Sequence, residues 1–104
     1  MPFAFPLALE VTDRRCVVIG GGPTAAAKAA ALLDAGAKVV VIAAAAEPAL
    51  VELARRGEIQ LIERDYRPGD LAGARLVFAT GDRAQNAAVF AEAESVLDVI
   101  RREL

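Results

Sequence analysis

The chain has 104 residues, of which 56% are hydrophobic, and its formal net charge at pH 7 is −2. This length and apolar content suit a single domain with a core of its own. The slight acidic excess gives no basic surface for nucleic acid or an anionic membrane. Charged residues interrupt the longest apolar stretches, which argues against a membrane-spanning helix. The N-terminus lacks the basic region that a signal peptide has, so we expect no signal peptide.

The chain contains no histidine and one cysteine, Cys16, which lies in an apolar run. A single cysteine cannot form an internal disulfide, so we expect a buried thiol in the reducing cytoplasm. Without histidine, the usual zinc and transition-metal sites and the Ser-His-Asp and Cys-His catalytic groups are excluded. Any proton transfer would use a carboxylate, a lysine, a tyrosine or a bound cofactor.

The predicted elements alternate between strands and helices. In chain order they are an extended piece at 7–10, a strand at 17–19, a helix at 23–35, a strand at 38–43, a helix at 48–56, a strand at 59–62, a loop at 64–74 with one turn near 70–71, a strand at 75–80 and a helical segment at 82–104. The strands are apolar on both faces, which is typical of a parallel sheet covered on both sides. The sequence predicts one α/β domain over 1–104, Rossmann-like and doubly wound, with about four parallel strands, helices on both faces and a long C-terminal helix.

Three consecutive glycines separate the first strand from the first helix. The spacing Gly20-x-Gly22-x-x-Ala25, between a strand and a helix, is typical of a dinucleotide-binding turn. Gly20 allows the tight turn, and Gly22 lacks the Cβ that would keep a pyrophosphate away from the backbone. Pro23 suits the first helical position, and Thr24 supplies a backbone N–H and a hydroxyl at the positive end of the helix. The alternative is a glycine turn that serves close packing only.

The end of the second predicted strand indicates which dinucleotide binds. An acidic residue usually stands there and binds the ribose hydroxyls. Here residues 43–46 are all alanine and the first acid is Glu47. No arginine stands there for a 2′-phosphate, and backbone groups near Ala44 and Ala45 can contact the ribose. The sequence therefore predicts NAD rather than NADP.

A wider pattern resembles a known family. The stretches FPLALEVTDRRCVVIGGGPTAAAKAAALLDAGAKVVVIA and LARRGEIQLIERDYRPGDLAGARLVFATGDRAQN resemble the N-terminal domain of siroheme synthases and stand-alone precorrin-2 dehydrogenases, from about residue 5 to about residue 93. That domain binds NAD and oxidises precorrin-2 to sirohydrochlorin, and many members also insert ferrous iron to make siroheme. The resemblance implies a tetrapyrrole substrate, precorrin-2. The homodimer predicted for this chain rests instead on the apolar residues of its C-terminal segment, and the cytoplasmic location rests on its single cysteine.

The resemblance also implies which residues contact NAD. They are Gly22, Pro23 and Thr24 after the first strand, Ala44 and Ala45 after the second, and Thr80 after the fourth. All three groups follow carboxyl ends of parallel strands, where a doubly wound sheet forms its ligand crevice.

The family continues into a fifth strand whose aspartate is thought to serve dehydrogenation and chelation, and that aspartate has no counterpart in this chain. Asp82 is a weak candidate for the missing acid–base role. A cap on the last helix, with Gln85 three residues later, is the alternative role for Asp82. Whether the chain is an enzyme therefore stays open, and the alternative function is a non-catalytic nucleotide-binding regulatory or structural module.

The segment 82–104 has apolar residues at helical spacing. They are Val89, Phe90, Ala93, Val96, Leu97, Ile100 and Leu104. A continuous helix of about 35 Å would be longer than a sheet of about 20 Å and would offer this stripe to a second copy of the chain. The alternative is a break near Glu94 and Ser95, with the last piece folded back onto the same domain.

Overall fold

A computed structural model describes residues 9–96, with side chains as far as Ala93. The elements are β1 (Arg15–Ile19), α1 (Pro23–Asp34), β2 (Lys38–Ile42), α2 (Pro48–Arg55), β3 (Gln60–Ile62), β4 (Leu76–Ala79) and α3 (Arg83–Val96). The order of strands and helices predicted from the sequence is confirmed. The segment 64–74 contains turns and no helix, and the described part of the predicted extended piece, residues 9 and 10, is not a strand. None of these helices is long and apolar enough to cross a membrane.

The four strands form one parallel sheet in the order β3-β2-β1-β4. The chain builds outward from β1 through β2 to β3 and then returns to place β4 on the other side of β1. The strand order therefore reverses between β1 and β4, which is the switch point where ligands bind in open α/β sheets. The central strand is buried on both faces, as Val17, Val18 and Ile19 show.

Alternate residues of each strand enter two separate hydrophobic clusters. Cys16, Val18, Val39 and Val41 face α1 and α2, while Val17, Ile19, Val40 and Ile42 face α3 and the segment before β4. Ala25 and Ala29 are fully buried, so α1 lies close to the sheet because its contact face has small side chains. The Cys16 thiol is free and buried, and the burial raises its pKa. A thiol in such surroundings is a poor nucleophile.

The last helix covers its own sheet with only part of the predicted apolar stripe. Val89 is buried in the cluster that faces α3, and Ala93 packs against the same cluster. Phe90 points away and is 65% exposed. The helix continues through residues 94 and 95, where one interpretation placed a break. The rest of the predicted helix, 97–104, lies outside the described residues. Val89 therefore belongs to the core of its own domain and cannot serve a contact with a second copy.

The connection from β3 to β4 has no helix and is fastened to α3 by a single carboxylate. Glu92 accepts hydrogen bonds from the backbone N–H groups of Gly69 at 3.0 Å and Leu71 at 3.1 Å, and from the hydroxyl of Tyr66. Burial, with the nearby Glu92 carboxylate, raises the pKa of Tyr66. These bonds hold Leu71 in the core beneath the loop, where it is fully buried.

The same loop is closed by an ion pair. Both guanidinium Nη atoms of Arg64 donate to the Asp70 carboxylate at 2.8 Å, and the backbone N–H of Arg67 donates to it at 2.7 Å. The guanidinium of Arg64 holds the pKa of Asp70 below its usual value. Side-chain bonds therefore add to the backbone hydrogen bonds of the turns in this connection, such as the one from the N–H of Asp70 to the carbonyl of Arg67.

Candidate functional site

The carboxyl ends of β1, β2 and β4 meet at one edge of the sheet. Residues 20–22 follow β1, residues 43–46 follow β2, and residues 80–82 follow β4. Each of these stretches leads into the next element, and the first lies between the other two because β1 lies between β2 and β4. The residues predicted from three separate parts of the sequence therefore lie together at the switch point, where open α/β sheets form their ligand cleft.

Gly20 fits the cleft because it has no side chain. Its φ is +125°, and a Cβ there would collide with the hydroxyl of Thr80. The N–H of Gly20 donates to the carbonyl of Ile42 at 3.0 Å, which links the turn to β2. Thr80 donates from both its N–H and its hydroxyl to the carbonyl of Ile19, each at 2.8 Å. Gly20 and Thr80 therefore lie in direct contact where the strand order reverses.

Gly21 packs against the connection that follows β2. A Cβ at Gly21 would run into the carbonyl oxygen of Ala45 and lie 2.9 Å from the Cβ of Ala43. The carbonyl of Gly21 accepts a hydrogen bond from the N–H of Glu47 at 2.8 Å. The dinucleotide-binding spacing gives no role to this middle glycine. Its only signal in the sequence is the run of three glycines, because one glycine suffices for the turn.

Gly22 is the open position of the turn. It is the N-cap of α1 with φ −90° and ψ −167°, and no atom lies within 4 Å of the place a Cβ would take. Pro23 and Thr24 beside it are exposed. The first N–H groups of a helix have no partner inside the helix, and Pro23 has none to offer. The N–H groups that follow Pro23 therefore face the open side of Gly22 at the positive end of α1, an arrangement that suits phosphate groups.

The connection after β2 presents a small and uncharged surface to the cleft. Ala44 and Ala45 are exposed, and no basic residue occurs between β2 and α2. Glu47 is the N-cap of α2, and its carboxylate forms no capping hydrogen bond. The first acidic residue after β2 therefore comes a few residues later in the chain than in the usual ribose-binding arrangement.

Asp82 acts as a helix cap. Its Oδ1 accepts a hydrogen bond from the backbone N–H of Gln85 at 2.8 Å. The side-chain oxygen of Gln85 lies against Gly81. This is the capping contact that the sequence predicted as the alternative to an acid–base role. The contact stabilises the start of α3 and occupies one carboxylate oxygen.

We expect Asp82→Ala to lower the free energy of unfolding by about 1 kcal/mol, the usual cost of losing an N-cap. Asp82→Asn should retain most of that stability because asparagine is an equally good cap. Urea denaturation of both variants measures the difference. Equal stability of the alanine variant and the unmodified chain would show that the cap contributes nothing, and would return Asp82 to the list of candidate bases.

With the geometry established, comparison with known proteins identifies the domain. The family model NAD_binding_7, which describes NAD(P)-binding domains, matches residues 7–100. The chain is 45% identical over 92 residues to a siroheme synthase of Chromobacterium violaceum, with 88% of this chain and 20% of that protein covered. It is 49% identical over 85 residues to a siroheme synthase of Methylococcus capsulatus, with 81% of this chain and 18% of that protein covered.

A solved structure shares the fold. SirC, a precorrin-2 dehydrogenase, superposes with a TM-score of 0.78 at 24% sequence identity, over 84% of this chain and 44% of that chain. The chain spans about a fifth of the length of the siroheme synthases it matches. The family model covers nearly the whole sequence, and it agrees with the resemblance seen in the glycine turn and the later strands. The chain belongs to the family of NAD(P)-binding domains that forms the N-terminal region of siroheme synthases.

Proposed function

We propose that this domain binds NAD at the glycine turn and serves the oxidation of precorrin-2 to sirohydrochlorin in siroheme biosynthesis. The observation that carries the proposal is the open position of Gly22 at the start of α1. It follows Gly20, which contacts Thr80, and Gly21, which packs on the connection after β2. The names of the relatives, siroheme synthase and precorrin-2 dehydrogenase, support the choice of pathway.

Different residues of the cleft would bind different parts of the cofactor. The N–H groups after Pro23, with the hydroxyl of Thr24, would hold the pyrophosphate. Backbone groups of Ala44 and Ala45 would contact the ribose, and Thr80 would line the cleft on the far side of Gly20. Bound nicotinamide supplies a hydride acceptor to such a site. The described residues offer Asp82 as a weak candidate for the proton acceptor, with one carboxylate oxygen still available.

NAD is proposed rather than NADP because of the charge after β2. A 2′-phosphate usually needs an arginine there, and this connection has no basic residue and has the acidic Glu47. Calorimetric titration of the purified chain should show NADH binding more tightly than NADPH by about tenfold, which corresponds to about 1.4 kcal/mol. Equal or tighter binding of NADPH would contradict this part of the proposal.

The experiment that tests the whole function supplies precorrin-2 and NAD to the purified chain and follows sirohydrochlorin and NADH by absorbance. Formation of both products in equal amounts supports the proposed dehydrogenation. Binding of NADH without any turnover supports the alternative function, a nucleotide-binding module without catalysis. The capping contact of Asp82 favours that alternative, since it occupies the candidate base.

We also propose that the domain is cytoplasmic, in keeping with its free, buried Cys16, and that it forms a homodimer. Phe90 supports the dimer because it is a large hydrophobic side chain with 65% exposure on α3. In the sequence, Leu97 and Leu104 follow Phe90 at intervals of seven residues, the repeat that pairs helices. Those two leucines lie outside the described residues.

Phe90→Ser should shift this dimer toward monomer in sedimentation measurements at tens of micromolar, because it removes an exposed aromatic from the contact. The fold should be little affected, since surface substitutions usually change stability by about 0.5 kcal/mol or less. Val51→Ser is the matched control, because Val51 on α2 is exposed to 46% and lies on another element. A monomeric unmodified chain under these conditions would rule out the dimer.

A further inference from the structure

Three basic residues stand side by side where the strands begin. Arg15 pairs in register with Lys38 of β2, and Cys16 pairs with Leu76, so Arg75 lies next to Arg15 on the β4 side. Matching positions of parallel strands point to the same face of a sheet. Two positions further along the three strands stand Val17, Val40 and Val77, which all belong to the cluster that faces α3. The sheet therefore presents a row of three cationic side chains on that face, carried by neighbouring strands about 4.8 Å apart.

No carboxylate balances this row within residues 9–93. The ion pairs described there join Glu52 to Arg55, Glu58 to Arg56 and Asp70 to Arg64. Arg15 donates from Nη2 to a neutral acceptor, the backbone carbonyl of Asp70, at 3.0 Å.

The guanidinium groups in the row also have unused donors. The Nε atoms of Arg15 and Arg75 are buried and have no hydrogen-bond partner among the described residues. A buried donor without a partner is costly, and like charges on neighbouring strands repel each other. A bound anion beside the row would relieve the repulsion, because it would neutralise the charges.

A cavity adjoins the row at the same edge of the sheet. Its volume is about 490 Å³, and its lining includes Arg15, Lys38, Val40, Glu58 and Gln60. This volume is in the range of small-molecule sites. The carboxylate of Glu58 is already paired with Arg56 at 2.9 Å, so it does not cancel the charge of the row. The cavity thus combines two cationic side chains, an amide and apolar residues with one carboxylate, which is paired with Arg56.

We infer that this amino-edge pocket, formed by Arg15, Lys38 and Gln60, binds a small polyanion that has at least two carboxylate or phosphate groups. Arg15 and Lys38 supply charge-assisted hydrogen bonds to separate anionic groups, and Arg75 adds positive potential beside them. The pocket lies at the amino ends of the strands, whereas the glycine turn lies at the carboxyl ends. The two sites are therefore separate, and this inference does not depend on the proposed function.

The test titrates citrate and pyrophosphate into the purified chain at low ionic strength by calorimetry. Lys38→Gln should weaken binding by about tenfold, the effect of losing one charge-assisted hydrogen bond. Lys38 is exposed, so this variant should fold normally. Arg14→Gln is the matched control, because it removes the same charge from an exposed residue that is one position out of the row. Its binding should change by less than about twofold.

Gly22→Val locates the bound probe. Binding that survives this substitution and is lost in Lys38→Gln supports the amino-edge pocket, and preference for citrate or for pyrophosphate identifies the anionic group. Loss in Gly22→Val with retention in Lys38→Gln would place the probe at the glycine turn and overturn the inference. Equal weakening by Lys38→Gln and Arg14→Gln, or no binding of either probe at millimolar concentration, would overturn it as well.

Discussion

Gly22→Val should abolish dinucleotide binding and leave the fold in place. The valine side chain would enter the open space at the start of α1, where no atom lies within 4 Å of the Cβ position. Its Cβ would therefore meet no protein atom, and the side chain would occupy the space through which a pyrophosphate reaches the helix N–H groups. The backbone at Gly22 has φ −90° and ψ −167°, an extended conformation that valine adopts without strain.

Two measurements check this prediction. Calorimetry with NADH should show a loss of affinity of about a hundredfold or more, because the steric block acts on the phosphate contacts as a whole. Urea denaturation should show a cost of only about 1 kcal/mol, since valine is a poorer N-cap than glycine. Ala30→Val is the control, as it adds bulk at an exposed position of the same helix. Unchanged NADH affinity in Gly22→Val would exclude the glycine turn as the cofactor site.

Local sequence signals were sufficient for the order of the elements and for the parallel sheet. The strands are continuous apolar runs that stand out without knowledge of their neighbours, and Pro23 and Gly36 mark the two ends of α1. The alternation of strands and helices predicted the parallel sheet with right-handed crossovers, whereas the strand order that creates the switch point came from the structure. The open character of Gly22 also followed from its place in the glycine motif.

Contacts between distant parts of the chain could not be predicted in this way. The need for glycine at position 21 depends on Ala45, which belongs to another connection. The attachment of the β3–β4 loop depends on Glu92, which accepts hydrogen bonds from N–H groups more than twenty residues earlier in the chain. A residue pattern gives the face of a helix or strand, but it does not give the partner that the face meets.

The row of cations at the amino edge shows the same limit. Arg15, Lys38 and Arg75 each stand at the start of a strand, where a single basic residue is unremarkable. They become neighbours only through the register of three strands, and register is set by the packing of the whole sheet. The apolar stripe of α3 is a further case. Its periodicity did not predict which of its residues face the sheet, as Val89 does, and which face outward, as Phe90 does.

The second large effect is expected from the middle glycine. Gly21→Ala should lower the free energy of unfolding by about 2 to 3 kcal/mol, since the new Cβ would overlap the carbonyl oxygen of Ala45. That carbonyl cannot move away cheaply, because the connection that contains it is tied to the turn by the hydrogen bond from Glu47 to Gly21. For a domain of this size the loss corresponds to a fall in Tm of about 10 to 20 °C.

Gly22→Ala is the matched control for Gly21→Ala, because it adds the same methyl group one residue later, where the space is open. Its unfolding free energy should stay within about 1 kcal/mol of the unmodified chain. Thermal and urea denaturation of the two variants side by side measure the contrast. If Gly21→Ala is as stable as Gly22→Ala, the turn after β1 does not pack on the connection after β2 as described. A large difference between them would show that the two glycines have different roles. Gly21 allows the close approach of two loops, and Gly22 leaves the start of α1 open.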